Sequence, residues 1–350
     1  MRARLLAACL GLLLAGSTGS VRAQTTITGV TTSTNTSAAS STEGGANPTT
    51  LTFLNDVRAI TVYTAGGVDY VGVDAADNVF VRRNTTAGNA NRTSLWMEND
   101  TTANTVKGTD KESLPAVFLD NNLFQGADNV FVNGTAASQG NVERVDFVWS
   151  GGFTVAASTD GLAVFERGLA GAHDAFQIAV ITGLGSGLAS PLTWTFGAVL
   201  EIAPANYGAN LDVTNDGIVD SLAYRLLRYT AGDTLTSHAA GNETGSQGVA
   251  GVHLSFGDLG IAPGTTVYGY ALMASDVTNV SANLANWNAT TFYPTNTADA
   301  FGGIDFAAFG GQRSRAVPEP STYGAALLAL GAGLLAWRRR RAAALTSRGA

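Results

Sequence analysis

Cysteine, lysine and histidine are scarce in this 350-residue chain. The single cysteine, Cys9, lies in an apolar N-terminal stretch that reads as a removable leader, so disulfides, thiolate nucleophiles and Cys-ligated zinc are excluded from the rest. The three histidines, His173, His238 and His253, are too spread for a linear zinc motif. No Gly-x-x-x-x-Gly-Lys-Ser/Thr phosphate loop occurs, and no βαβ setting exists for a dinucleotide. Gly183-Leu184-Gly185-Ser186-Gly187 holds the residues of a Gly-x-Ser-x-Gly motif in the wrong order, without a nucleophile elbow. With 42 glycines and two lysines, long amphipathic helices are not expected.

Positive charge is scarce as well, and it sits at the ends. Eight of the 20 Lys and Arg residues lie before Gln24 or after Trp337, which leaves 12 against 27 acids, a net −15, between them. Such a surface repels nucleic acid and anionic membranes. It attracts divalent cations, although no dense acidic cluster stands out and the net charge also serves solubility.

Residues 1–23 have the form of a secretory signal peptide. Arg2 and Arg4 supply the positive start, Leu5 to Ala15 the apolar region, and Val21-Arg22-Ala23 an A-x-A-like site, which places cleavage between Ala23 and Gln24. Residues 24–50 are Thr-, Ser-, Gly- and Asn-rich and read as a flexible leader, with Thr26 to Val30 able to add an edge strand.

From Leu51 short β-branched and aromatic runs alternate with turn residues. Strands are expected at 58–63, 68–73, 78–82, 129–133, 142–149, 153–156, 162–166, 176–182 and 192–202, and later at 223–229, 252–255 and 266–273. The fold class is therefore all-β, a sandwich or jelly-roll-like architecture. A β-rich domain is expected over 51–205, and 206–308 is a second one or a continuation of the first. Residues 309–316 read as a linker, 317–341 as a terminal signal with a short transmembrane helix, and 342–350 as a tail. Ala76-Asp77-Asn78-Val79-Phe80-Val81 recurs as Ala127-Asp128-Asn129-Val130-Phe131-Val132, which is too little for a repeat fold.

The most specific stretch is the C-terminal one. Val317-Pro318-Glu319-Pro320 precedes an uncharged run from Tyr323 to Trp337, followed by Arg338, Arg339, Arg340 and Arg341. As a helix of ~1.5 Å rise per residue, the run reaches about 22 Å, short for a ~30 Å bilayer core. Trp337 suits the interface and the arginines the cytoplasmic side. The prolines hold the upstream backbone extended. These three parts in this order resemble the PEP-CTERM sorting signal. The resemblance implies recognition and processing near Pro318-Glu319-Pro320 by an exosortase-like membrane enzyme of exopolysaccharide-building bacteria. It also implies a transient inner-membrane anchor and delivery to the cell surface or matrix.

One loop has hard-oxygen spacing. Asp212, Thr214, Asp216, the Ile218 carbonyl and Asp220 occupy EF-hand-like positions around Gly217, and such ligands suit calcium. With Tyr224 to Tyr229 following, the stretch resembles half of a dockerin repeat, which implies a short helix after the loop. Position 12 is Ala223 rather than a carboxylate, and no second repeat is found.

Glu166-Arg167 and His173-Asp174 flank one short connection and form a local acid–base group. Glu98, Glu112, Glu143 and Glu201 are scattered carboxylates that a glycosidase dyad would have to pair in space. No catalytic residue is assigned. The expected function is that of an exported structural or interaction protein of the surface or exopolysaccharide matrix, with no cofactor beyond calcium and no nucleic-acid partner. The alternatives are a carbohydrate-binding sandwich presenting Trp96 or Trp287, and a polysaccharide hydrolase or lyase.

Overall fold

The structure is a computed structural model. It describes residues 24–36, 41–44, 50–84, 93–99, 105–108, 113–133, 140–188, 193–229, 235–238, 244–278, 284, 293–294, 296–307, 311–318, 328, 330–334 and 336–337. The signal segment 1–23, Glu319, Pro320 and Arg338 to Arg341 lie outside them. Residues up to Arg315 form one compact unit, and those from Ala316 onward a second.

Strands dominate the first unit, as the alternating runs predict. In chain order they are β1 (Thr25–Thr36), β2 (Ser41–Gly44), β3 (Thr50–Phe53), β4 (Asp56–Ala65), β5 (Val68–Asp74) and β6 (Asn78–Arg83). Then come β7 (Thr93–Asn99), β8 (Thr105–Lys107), β9 (Gln125–Asp128), β10 (Val142–Thr154), β11 (Gly161–Gly168) and β12 (Phe176–Gly183). The last are β13 (Thr195–Ile202), β14 (Leu222–Tyr229), β15 (Leu235–His238), β16 (Thr244–Ser255), β17 (Thr266–Ala274) and β18 (Arg313–Ala316). Among the described residues of this unit, helix is limited to α1 (Leu114–Leu119), α2 (Asp299–Gly302) and a 3-10 turn at Pro204–Asn206. The Ser113 hydroxyl caps α1 by accepting from the Ala116 amide.

Two sheets result. The smaller runs β13-β12-β17-β10-β6, all antiparallel. In the larger, β1-β4-β5-β18-β11-β16 are neighbours in that order, and β16 also pairs with β1 through Thr25↔His253 and Thr26↔Val252. Those six strands therefore close into a ring, which leaves no edge along that circuit. Beyond the ring, β16 continues to β14, β7, β8, β3 and β2. Strands from before and after Ala205 alternate in both sheets, since β16 lies between β11 and β14 and β17 lies between β12 and β10.

An aromatic layer joins the sheets. Phe306 meets Phe176 of β12 edge-on at 5.7 Å, Phe131 at 5.8 Å and Phe118 at 6.2 Å. Phe118 in turn meets Phe147 of β10 at 5.5 Å, and Phe147 stacks on Tyr270 of β17 at 4.9 Å. Edge-to-face geometry places the positive rim of one ring on the negative face of the next. The Ala65-Gly66-Gly67 turn closes the β4–β5 hairpin with φ of 59° and 79° at the two glycines, a conformation that fits the right-handed strand twist.

Several expectations need correction. The supposed flexible leader holds β1 and β2. Composition counts only apolar side chains, and β1 buries just Ile27 among them. It is held instead by backbone pairing with β4 from Ile27 to Thr36 and by Thr32, whose hydroxyl donates to the Val213 carbonyl at 2.8 Å. Residues 129–133 are a turn rather than a strand. Asn129 sits at φ 47°, and the Val130 and Phe131 amides donate to Ile304 and Gly302 carbonyls across the turn. The two strands expected over 142–156 form the single strand β10, with a register irregularity between Val148 and Phe153. The expected 309–316 linker contains β18, and a strand, β14, follows the Asp212–Asp220 loop where a helix was implied. There Leu222 to Tyr229 pair with both β7 and β16, so ladder bonds replace helical ones.

Candidate functional site

The C-terminal signal grows directly out of the ring. Ser314 of β18 is buried, and its hydroxyl donates to the Gly161 carbonyl at 3.1 Å. On either side of it, Arg313 reaches the Asp74 carboxylate at 2.8 Å and lies over the Phe153 ring at 4.3 Å, while Arg315 is 3.8 Å from Asp160. Val317 and Pro318 then leave the strand as irregular, exposed backbone. Proline at 318 lacks an amide donor, so it cannot extend the ladder.

Farther on, residues 328, 330–334 and 336–337 are helical. Leu328, Leu330, Leu334 and Trp337 are each more than half exposed. Among the described residues no helix is long and apolar enough to cross a membrane.

Residues 316–341 match the PEP-CTERM protein-sorting motif. The chain is thus an exported protein, sorted by an exosortase system to the cell envelope or surface. No curated protein and no solved structure matches the chain. The PEP-CTERM segment covers only this terminal stretch, so the β unit has to be read from its own residues.

The Asp212–Asp220 loop is closed by its own amides. Asp212 accepts from the Asp216 amide at 3.2 Å and the Gly217 amide at 2.7 Å. Asp220 accepts from the amides of Val213 and Thr214 at 2.7 and 2.8 Å. Asp216 accepts from the Ile218 amide, and Asn215, at φ 60°, clasps β1 through the Val30 carbonyl and the Thr32 amide. The backbone bonds hold the Asp212 carboxyl below the usual carboxylate range. The Thr214 hydroxyl donates to Asp212 at 3.4 Å and to Asp220 at 3.1 Å, while the Ile218 side chain is exposed. Among the described residues no group of three or more His, Cys, Asp or Glu side chains is placed to hold a metal ion.

The Glu166–His173 connection does bring its ionisable groups together. His173 Nδ1 lies 3.5 Å from Glu166 Oε2, the Asp174 amide donates to Glu166 Oε1 at 2.9 Å, and the imidazole lies 4.9 Å from the Tyr207 ring. Burial dominates both titrations. It pushes the Glu166 carboxyl well up and the His173 imidazole down, so each favours its neutral form. Both side chains are buried, which removes them from contact with an external polymer.

The scattered carboxylates are engaged separately. Glu98 of β7 pairs with Lys107 at 2.8 Å, Glu143 of β10 pairs with Arg82, and Glu201 lies exposed on β13. Glu112 and Trp287 fall outside the described residues. Trp96 is fully buried, with the Arg167 guanidinium 4.9 Å from its ring, so it offers no face to a sugar.

Two polar clusters were not anticipated. Arg167 reaches Asp128 at 3.0 Å and Asp305 at 2.9 Å and lies 3.7 Å over the Tyr224 ring, tying β11 to β9, β14 and the segment after α2. Inside the ring, the Tyr63 hydroxyl contacts Ser314 Oγ and lies 2.8 Å from His253 Nδ1, while Tyr70 lies 4.1 Å from the His253 ring. The cavity beside Tyr63, Phe165 and Ser314 is only about 10 Å³, room for at most a single water, so the ring is a packed core rather than a ligand site. A charged residue amid an apolar run, such as Asp128 or Arg167, is the only sequence signal for such clusters, and it does not reveal the partner.

Proposed function

We propose that this is a non-enzymatic structural or interaction protein of the bacterial surface or extracellular matrix, with exopolysaccharide as its surroundings or partner. The PEP-CTERM segment carries the proposal. In this reading Tyr323 to Trp337 anchor the chain transiently in the inner membrane, with Arg338 to Arg341 on the cytoplasmic side. An exosortase-like enzyme then cuts near Pro318-Glu319-Pro320. The exposed leucines of the terminal helix support the anchor, since apolar side chains displayed along a helix need a nonaqueous neighbour. The burial of Glu166 and His173 and the separate ion pairs of Glu98 and Glu143 support a non-catalytic β unit.

Fractionation of the producing cells tests this. The wild-type chain should reach the surface or matrix fraction shortened at its C-terminus, and a chain with Arg338 to Arg341 replaced by alanine should accumulate unprocessed. Equal processing and delivery of both would refute the role of the tail. Release of reducing ends or unsaturated sugars from the host exopolysaccharide by the purified β unit would refute the non-enzymatic reading.

A further inference from the structure

We propose that the α-ammonium of Gln24, created by cleavage after Ala23, docks on the Asp258 carboxylate and so locks β1 into the ring. The proposal rests on the signal-peptide reading, which places the cut between Ala23 and Gln24. Three observations at residue 24 carry it.

The first is backbone conformation. Gln24 has φ 53°, in the left-handed region that side-chain-bearing residues rarely occupy. The crowding there involves the carbonyl of the preceding residue, Ala23, which leaves with the cut. A terminal residue has no φ to strain.

The second is an imbalance of donors and acceptors. The Gln24 backbone nitrogen lies 3.4 Å from Asp258 Oδ2, long for an amide bond. Oδ2 already accepts from the Ser255 amide at 3.2 Å and the Ser255 hydroxyl at 2.6 Å. Asp258 Oδ1, by contrast, is buried with no hydrogen-bond partner. A buried carboxylate oxygen without a donor is costly. An amide supplies one N–H, whereas an ammonium supplies three together with a positive charge, enough to serve both oxygens.

The third is position. The Gln24 side-chain amide donates to the Glu201 carbonyl of β13 at 2.9 Å, and the next residue, Thr25, pairs with His253 of β16. Residue 24 is thus held from two sides at the point where β1 closes the ring. Cleavage would convert a weak amide contact into a charge-assisted one at that closure, so removal of the leader tightens the fold.

The test begins with the N-terminus of the exported full-length protein, read by mass spectrometry. An uncyclised Gln24 start is expected. A start at another residue refutes the cleavage reading and the docking with it. A pyroglutamate start, in which the α-amine has attacked the side-chain amide and released ammonia, leaves the cleavage site intact and overturns the docking, because the lactam carries no charge. Next, Asp258→Asn is placed in protein beginning at Gln24 and in protein retaining Arg22 and Ala23. The substitution should lower the melting temperature of the first by about 2–4 °C and that of the second by much less. Equal falls overturn the proposal. If the variant does not fold, acylation of the wild-type amines decides. Lys107, Lys111 and the α-amine are the amines of the mature chain, and the α-amine should react at least about tenfold more slowly in the folded than in the unfolded protein. Equal rates overturn the docking.

Discussion

Acid should loosen the ring through His253. The imidazole is 2% exposed, packed against Tyr63 and Tyr70, and burial depresses its pKa to about 4 from an ordinary 6.5. A base whose folded pKa is depressed contributes stability that is complete above pH 6.5 and is lost as pH falls toward 4. The gap of roughly 2.5 units at ~1.4 kcal/mol per unit makes the loss ~3 kcal/mol. For a chain of this size that corresponds to a drop of roughly 5–10 °C in melting temperature. The hydrogen bonds point the same way. Ser314 donates to the Gly161 carbonyl, so its oxygen is left to accept from the Tyr63 hydroxyl, and the Tyr63 oxygen then accepts from His253 Nδ1. This chain uses one imidazole proton and leaves Nε2 without one. Protonating Nε2 puts a positive charge into a buried site, and the Thr159 backbone offsets only part of that cost. The assay is chemical or thermal unfolding of wild type and His253→Gln between pH 7.5 and 4. Glutamine keeps a polar partner for Tyr63 but cannot titrate. Buried carboxyls such as Glu166 and Asp305 shift with opposite sign in both proteins and cancel in the difference. The stability advantage of wild type should shrink by ~3 kcal/mol across that range. A difference that does not change with pH would refute the reasoning, as would an NMR titration of folded His253 near 6.5.

Other outcomes follow from the same geometry. Glu166 is pushed up by burial, so its contribution is complete below the ordinary carboxylate pKa and is lost as pH rises; Glu166→Gln should gain stability relative to wild type between pH 5 and 8 in urea titrations. Arg167→Met strands Asp128 and Asp305 without their shared cation and should cost ~3–5 kcal/mol near neutrality, with much of that recovered in Arg167→Met/Asp305→Asn or at acid pH, where the carboxyls protonate. The Asp212–Asp220 loop takes its donors from its own amides, so excess calcium or chelator should leave the melting temperature unchanged; a calcium-dependent rise would restore the loop as a cation site. Gly251→Val should destabilise the ring by ~1–3 kcal/mol, because a Cβ there would lie 2.8 Å from Phe165 and 2.9 Å from Ile27, which thermal unfolding followed by circular dichroism would register.

The features legible in the residue order are local or linear. Strand runs such as Arg58 to Tyr63 and Thr266 to Met273 follow from side-chain alternation, and the PEP-CTERM segment follows from three parts in fixed order. An enzyme that reads an extended peptide and an adjacent helix needs no tertiary context, so the signal is legible as text. The ring and its polar clusters depend on contacts between distant residues. Thr25 to Thr36 look like a leader because the stretch holds few large apolar residues, yet their backbone groups find β4 and β16, and pairing partners leave no mark in composition. The twin Asp-Asn segments diverge for the same reason. Asp77 bonds the Ser150 amide and hydroxyl and opens β6, while Asp128 meets Arg167 and ends β9 before a turn. His253, Tyr63 and Ser314 come together only when six strands close, because ring closure is a property of pairing order and not of any one strand.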